Sequence, residues 1–272
     1  ERVENGQTIG FDGRVIDAAF GKKMEKVLSE KNVKYVYDKD LADAIWHDRP
    51  NLPVSDIWVV PEEKSGKTVS QKLEAVRASM KKEQAAHLLL TKLDDIMWLY
   101  NIRANDIDCN PVALSYTFVS EKEAVIFVQN EALTEAAKGH FEKYGVLVKD
   151  YAEVVTFLEQ CKLNGKVMCA CNDVNYLLYK LVGRRGELLE RENPTSLLKA
   201  IKNEVELENI RKYYLLDSVA TAVKDGTLDK DKVPLIFCRV RSLEQFKRFA
   251  EGLDEHKVKA LTGINFPKFS SE

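Results

Sequence analysis

The chain has 272 residues, 41 basic and 43 acidic side chains, a net charge of −2 and 45% hydrophobic residues. This balance is typical of a globular protein and excludes a bulk-basic nucleic-acid coat. No apolar run approaches the roughly 18 residues of a membrane span, and the start, Glu1-Arg2-Val3-Glu4, has neither Met nor an apolar signal segment. The five cysteines are few and odd in number, so we expect reduced thiols and a cytoplasmic location.

The first fifty residues look like the end of a unit that begins before the chain. A helix is predicted over 14–31 from six apolar residues spaced for one face: Val15, Ala18, Ala19, Met24, Val27 and Leu28. The alternating, β-rich run 33–37 predicts a short strand. Three prolines and a glycine between residues 46 and 67 prevent a regular helix, which predicts an ordered linker over 51–67.

The next unit alternates helices and strands. Thr68 is a predicted N-cap for a helix to residue 84, whose apolar stripe is Val69, Leu73, Val76 and Met80. Later elements are predicted as strand 86–91, helix 94–100, hairpin 115–120 and 124–129, helix 132–144, strand 146–149, helix 151–162, strand 166–170 and helix 174–182. This pattern predicts an α/β domain with a mixed sheet covered by helices. The predicted core contains Leu73, Val76, Leu88, Leu90, Trp98, Val125, Phe127, Val146 and Val167.

Beyond residue 182 the pattern changes. Gly183 to Gly186 are predicted to break the alternation, and a short helix follows at 196–201. A long helix begins at Glu204, because acidic residues near its start and basic residues further along suit the helix dipole. The tail is predicted as strand 235–240, helix 242–252 and strand 261–266, a short β-α-β segment.

Several catalytic and metal-binding signatures are absent from the sequence, including the nucleophile elbow, the phosphate loop and the H-E-x-x-H zinc motif. Asp106, Asp108 and Asn110 have the spacing that opens a calcium loop. However, Pro111 stands where that loop needs glycine and Thr117 stands where it needs a closing glutamate. An Asx turn that satisfies local amides is the better interpretation.

Two further motifs each have a structural and a functional interpretation. Cys169 and Cys171 lie on one face of a predicted strand, where they are either small buried residues or a redox pair. The run 183–186 has the GXXG form of the nucleic-acid clamp in KH domains, with Arg184 and Arg185 in its middle. The glutamates that follow it would repel phosphate, so we favour a surface turn and expect no nucleic-acid ligand.

The loop 101–106 carries one arginine, Arg103, among short polar residues. Its guanidinium is a rigid fork for a carboxylate or a backbone carbonyl. Two alternatives stay open from the residues: a ligand contact, or a structural pair with Asp94 or Asp106.

A family resemblance rests on five runs in a fixed order: residues 45–53, 72–80, 93–103, 110–112 and 115–116. Over about 1–217 the chain resembles the Xaa-Pro aminopeptidases (aminopeptidase P), in which two creatinase-like domains precede a metallopeptidase domain. The resemblance implies that 1–50 ends the first creatinase-like domain, 51–67 is a linker and 68–190 is the second domain, which starts near 54 at the earliest. It also implies that 195–224 holds the first helices of the catalytic domain.

The resemblance implies a function for the parent protein, which would hydrolyse the bond before proline at the second position of a peptide. Two manganese ions in its catalytic domain are held by two Asp, one His and two Glu, and those motifs are absent from this sequence. We therefore expect a non-catalytic N-terminal region without metal, which supports dimerisation and substrate access. Arg103 and Asn110 are the implied substrate-binding residues, with peptide substrate and a second copy of the chain as partners and no membrane.

The tail has a different resemblance. Residues 233–246 and 261–269 resemble part of a citrate-lyase-type (HpcH/HpaI) aldolase barrel, so 225–272 is predicted to be a fragment of that fold, with Arg239 as its substrate-binding residue. The alternatives to the peptidase function are therefore an aldolase or lyase fragment, or a module that binds RNA or a protein.

Overall fold

Six of the strands that the structure describes form one mixed sheet in the order β10-β9-β4-β6-β7-β8. In this computed structural model the described residues are 3–43 and 45–224. The strands are β1 (Thr8–Gly10), β2 (Lys34–Val36), β3 (Trp58–Val59), β4 (Ala85–Leu90), β5 (Ile102–Arg103), β6 (Ser115–Ser120), β7 (Ala124–Val128), β8 (Val146–Asp150), β9 (Lys166–Cys169) and β10 (Glu187–Glu190). The helices are α1 (Ala18–Glu30), α2 (Glu62–Ser65), α3 (Val69–Lys82), α4 (Leu93–Tyr100), α5 (Glu135–Lys143), α6 (Val154–Gln160), α7 (Tyr176–Arg185), α8 (Pro194–Ala200) and α9 (Glu204–Lys224).

The sheet combines both strand orientations, as the sequence predicts. β10, β9 and β4 are parallel neighbours, and β7 and β8 are parallel. β6 runs antiparallel to β4 and to β7, and β6 and β7 form the predicted hairpin. The predicted α/β class and the mixed sheet are thereby confirmed.

Alternating strand residues enter two apolar layers. On one face, Leu88, Leu90 and Ile126 pack with side chains of α3, α4 and α5. On the other face, Leu89 and Phe127 pack with side chains of α1, α6 and α7. All nine predicted core residues are buried: Leu73, Val76, Leu88, Leu90, Trp98, Val125, Phe127, Val146 and Val167.

The N-cap predicted at Thr68, at the start of α3, is present in the structure. The Thr68 side chain accepts a hydrogen bond from the Gln71 backbone amide (3.1 Å), and the Gln71 side chain accepts one from the Thr68 amide (2.9 Å). This reciprocal capping box satisfies two amides that the helix itself leaves without partners.

The N-terminal residues form a β-α-β element in which β1 and β2 are parallel. The segment before α1 lies alongside the β9–α7 loop. Two backbone hydrogen bonds join them, from Ala18 N to Val174 O (2.8 Å) and from Tyr176 N to Ile16 O (2.9 Å). α1 then crosses α7 at Gly21, where an added Cβ would lie 2.1 Å from the Tyr176 ring. Glycine at this position permits the close approach of the two helices.

The predictions for α1, α7 and β10 differ from the structure. The helix predicted over 14–31 begins at Ala18 after the N-cap Asp17, and Val15 is 73% exposed. The helix predicted to end at 182 continues through Arg185, so 183–185 are its last turn and not a break. β10 was not predicted, since its sequence Glu-Leu-Leu-Glu lacks β-branched residues and alternation; pairing with β9 makes it a strand.

The chain divides into two compact units, Glu1–Asn203 and Glu204–Glu272. Within the first, the predicted linker 51–67 holds β3 and the four-residue helix α2, and the short helix predicted at 196–201 is α8. Within the second, the predicted long helix is confirmed as α9. The tail elements predicted at 235–240, 242–252 and 261–266, together with Arg239, lie outside the described residues.

Candidate functional site

The loop after α4 contains both predicted substrate-binding residues. It begins at Asn101, whose left-handed conformation (φ 53°) ends α4 and turns the chain into β5. Arg103 lies in β5 and is half-buried, and its Nη1 donates to the carbonyl oxygens of Met97 (3.0 Å) and Ile102 (2.7 Å). These two hydrogen bonds hold the guanidinium group of Arg103 against the end of α4.

Asn110 lies at the exposed end of the same loop. Its backbone amide donates to Ile107 O (3.1 Å), and its carbonyl accepts from Val112 N (2.8 Å), which closes a local turn. The side chain of Asn110 is therefore presented to solvent by a turn, whereas Arg103 is held against the body of the domain.

Asp106 joins this loop to the segment before β3. Its carboxylate accepts hydrogen bonds from Ser55 Oγ (2.6 Å) and from the Leu114 amide (2.8 Å), and the residue is buried. These contacts agree with the turn interpretation of 106–110. Asp94 forms an ion pair with Lys199.

A buried lysine supports the start of the loop. Lys72 is 2% exposed, and its Nζ donates to Trp98 O (2.8 Å) and to Asn101 Oδ1 (2.6 Å), with the ammonium 4.4 Å from the Trp98 ring centroid. Asn101 Nδ2 in turn donates to Lys67 O (2.8 Å). Lys72 is not predicted as a functional residue from the sequence, although its position three residues after Val69 and four before Val76 places it on the buried face of α3.

Trp58 is a second residue of the site that was not predicted from the sequence. In the antiparallel β3–β5 pair it lies opposite Arg103, and its side chain is 42% exposed. Opposite residues of a strand pair share a face, so an exposed indole accompanies the predicted arginine. Pro53 and Pro61 flank Trp58 and favour a linker in the sequence pattern, whereas pairing with β5 makes this segment a strand.

The arginines of the GXXG-like run contact the protein itself. Arg184 donates to the Tyr37 hydroxyl, with its guanidinium 5.5 Å from the ring centroid. Arg185 donates to Cys161 O (3.2 Å). The run closes α7 and attaches it to neighbouring segments, so it is neither the favoured surface turn nor the loop of the alternative GXXG clamp.

The paired cysteines are free thiols in an unreactive environment. Burial raises the pKa of Cys169 to about 12 and that of Cys171 to about 11. Few thiolates therefore form near neutral pH, which favours the interpretation as small buried residues.

The described ranges contain neither a cluster of metal ligands nor a membrane-spanning helix. In the described ranges, no three His, Cys, Asp or Glu side chains are grouped so that they could hold a metal ion. Among the helices of those ranges, none has the length and apolarity required to cross a bilayer.

Comparison with family models finds two matches. Residues 48–206 match the creatinase/prolidase N-terminal domain, and residues 197–272 match a C–C bond lyase of the TIM-barrel fold. The two matches overlap at 197–206, around the end of α8 and the start of α9.

Comparison with known proteins finds Xaa-Pro aminopeptidases. The chain is 33% identical over 228 residues to Xaa-Pro aminopeptidase app-1 of Caenorhabditis elegans, which covers 80% of this chain and 36% of that protein. It is 32% identical over 221 residues to Xaa-Pro aminopeptidase 1 of Dictyostelium discoideum, with 78% and 35% covered. The chain thus spans little more than a third of the length of these relatives.

A solved structure agrees with this assignment. X-prolyl aminopeptidase from Caenorhabditis elegans, described as a cytosolic enzyme with a di-nuclear active site, superposes with a TM-score of 0.74 at 32% identity over 81% of this chain and 37% of that one. Both resemblances seen in the sequence are confirmed. Because the creatinase/prolidase match covers more than half of the 272 residues, the chain belongs to the creatinase/prolidase N-terminal domain family.

Proposed function

We propose that this chain supplies the N-terminal, non-catalytic part of an Xaa-Pro aminopeptidase-type protein. The observation that carries the proposal is the 33% identity to the Caenorhabditis elegans aminopeptidase over 80% of this chain, which accounts for 36% of that relative. The parent activity is hydrolysis of the bond before proline at the second position of a peptide. The present chain contributes dimerisation and substrate access in the cytoplasm, as a homodimer.

The domain division follows from the same proposal. Residues 1–50 end a first creatinase-like domain, 51–67 link it to a second domain over 68–190, and 195–224 begin the catalytic part. The continuous sheet of β4 and β6 to β10 supports the second of these assignments. The remaining residues, 225–272, belong to the aldolase-like segment, which matches the lyase family in sequence.

The two metal ions of the parent belong to its catalytic part in this proposal. The described residues of this chain do not fit a dinuclear centre, since no group of three potential ligand side chains is present among them. In this proposal, the activation of a water molecule by bound metal ions takes place in the catalytic part of the parent protein.

Arg103 and Asn110 are proposed to face substrate or a neighbouring subunit. Three features support this: the exposed turn at Asn110, the half-buried guanidinium of Arg103, and the exposed Trp58 across the strand pair. A planar cation beside an indole suits a peptide carbonyl or carboxylate.

The test is a peptidase assay of the 272-residue chain with manganese and an X-Pro-Pro peptide. We expect no turnover, with the Caenorhabditis elegans relative as the active control under identical conditions. Measurable turnover that is abolished by a chelator would contradict the non-catalytic assignment. Sedimentation at several protein concentrations tests the proposed homodimer separately.

A second candidate function, carbon–carbon bond cleavage, is favoured by the lyase family match at 197–272. It is tested by an aldol cleavage assay with divalent metal, comparing the chain with its Arg239→Lys variant. Activity that depends on Arg239 would favour the lyase and leave the peptidase assay unaffected.

A further inference from the structure

Loops from three adjacent strands meet beyond the carboxyl ends of β4, β9 and β10. Thr91, after β4, donates from its hydroxyl to the Asp173 carbonyl (2.8 Å) in the β9–α7 loop. Asn193, after β10, donates from Nδ2 to Asp173 Oδ2 (2.8 Å). Asn193 directly precedes α8, so this bond attaches the start of that helix to the sheet.

Asp173 is surrounded mainly by negative charge. Asp94 and Asp95 face it from the start of α4, and Glu192 faces it from the β10–α8 connection. Lys92 is the cation that acts on it directly. Burial and the three carboxylates outweigh Lys92 and raise the pKa of Asp173 above its usual range.

The nearest ammonium on α8 is engaged elsewhere. Lys199 Nζ lies 2.5 Å from Asp95 Oδ1 and also forms an ion pair with Asp94. The second oxygen of Asp95 accepts a hydrogen bond from Thr195 Oγ1 (2.7 Å). These contacts offset only part of the negative charge at the start of α4, and they engage Lys199 with Asp94 and Asp95.

Asn193 has one oxygen for which the described residues provide no donor. The residue is 3% exposed, and its Oδ1 is buried without a hydrogen-bond partner among those residues. A buried acceptor without a hydrogen-bond donor lowers the stability of the folded state. The ionised carboxylate of Asp173 cannot satisfy this acceptor, because it has no hydrogen to donate. A protonated carboxyl has both an acceptor and a donor, and it complements the donor and acceptor of a primary amide.

We propose that Asp173 and Asn193 form a proton-binding clasp. In acid, Asp173 takes a proton from solvent and donates it in a hydrogen bond to Asn193 Oδ1, while Asn193 Nδ2 continues to donate to Asp173 Oδ2. The pair then has two hydrogen bonds instead of one, and the start of α8 is held more firmly to the β9–α7 loop.

The pH dependence has a definite sign. Because the pKa of Asp173 is raised by folding, the folded state binds the proton more tightly than the unfolded state. The stabilisation by the clasp is complete below 3.8, the ordinary pKa, and is lost as pH rises through the higher pKa of the folded protein.

The Asp173→Asn variant of the full chain tests the clasp, because an amide mimics the protonated carboxyl at neutral pH. We expect its Tm at pH 7 to exceed that of the unmodified chain by about 2–4 °C, the size of one net hydrogen bond in a protein of this length. The difference should shrink as the pH is lowered towards 4. A lower Tm for the variant at pH 7 would overturn the proposal.

A matched control separates the hydrogen bond from simple relief of charge repulsion. Glu192→Ala removes a neighbouring charge and introduces no side-chain hydrogen-bond donor, so it should raise Tm less than Asp173→Asn. Equal gains would overturn the clasp. In the unmodified chain, NMR should show the Asp173 carboxyl carbon and the Asn193 amide carbon titrating with one midpoint above 3.8, and independent titrations would also overturn it.

Discussion

The N-terminal region (residues 3–58) and the sheet domain (residues 69–190) differ in how they bury apolar side chains. Within 69–190, where every residue is described, two large apolar side chains are exposed, Ile107 and Leu147. Between residues 15 and 58, nine are exposed among the described residues: Val15, Phe20, Val27, Leu41, Ile45, Trp46, Leu52, Val54 and Trp58. The sheet domain therefore leaves little of its apolar surface exposed, whereas the N-terminal region leaves more of its own apolar surface open.

The two regions also use different contacts. The sheet domain depends on aliphatic and aromatic layers on both sheet faces. The N-terminal region is attached through a polar and aromatic cluster, in which Glu25 accepts hydrogen bonds from Tyr35 (2.5 Å), Tyr176 (2.7 Å) and Lys180 (2.8 Å). Substitutions and pH should therefore affect the two regions differently.

The largest effect is expected for Leu88→Ala in β4. Leu88 is fully buried in the layer beneath α3, so truncation should reduce the free energy of unfolding by about 2–5 kcal/mol. Leu147→Ala, at an exposed position of β8, is the control and should change it by less than about 0.5 kcal/mol. Urea unfolding measures both, and equal losses would contradict a core centred on β4.

The next effect concerns the crossing of α1 and α7. Gly21→Ala places a methyl group against the Tyr176 ring, and such overpacking costs about 1–3 kcal/mol. Gly139→Ala in α5 has open space around its added Cβ, so helix propensity should make it stabilising by about 0.5–1 kcal/mol. The opposite signs are the test, and a stabilising Gly21→Ala would show that the two helices are not in close contact.

A smaller effect is expected for Glu25→Gln. Burial opposes ionisation of Glu25, but hydrogen bonds from Lys180, Tyr35 and Tyr176 outweigh it and lower its pKa to about 2. The resulting stability is present above 4.5 and is lost as pH falls towards 2. With screening of these partly exposed groups, we expect a loss of roughly 1 kcal/mol at pH 7.

Unfolding of the unmodified chain and of the Glu25→Gln variant between pH 7 and pH 3 measures this effect, since the difference in stability between them should shrink as the pH falls below 4.5. Glu135→Gln is the control, because Glu135 is 91% exposed in its pair with Lys138 and should change little. A constant difference across the pH range would show that the charge of Glu25 does not attach the N-terminal region.

The smallest effect concerns His87 in the sheet domain. Its ring stacks on Phe118 at a centroid distance of 5.1 Å, and burial lowers its pKa below 6.5. As pH falls below 6.5 the unfolded chain takes up a proton before the folded chain does, so the sheet domain loses stability. His87→Leu should remove this pH-dependent loss, as measured by urea unfolding at pH 7 and pH 5.5. An unchanged pH dependence would assign the titration to another group.

Most of the sheet domain was predictable because its signals are local. The Thr68 capping box, the stripe of α3 and the hairpin of β6 and β7 each depend on residues close together in sequence. β10 was not predictable in this way, since Leu188 and Leu189 are extended only through their pairing with β9. Lys72 was missed because a lysine on a buried helix face is stabilised by Trp98 and Asn101, nearly thirty residues away.

The sequence by itself determined the α/β class, the core positions and the family resemblance, because periodicity, caps and ordered motifs are properties of neighbouring residues. The tertiary structure decided where the polar side chains find partners. Arg103 lies against the end of α4, Arg184 against Tyr37, and Asp173 against Asn193. These pairings join residues that are distant in sequence, and the burial that sets their protonation and strength arises only when the sheet and its helices have packed.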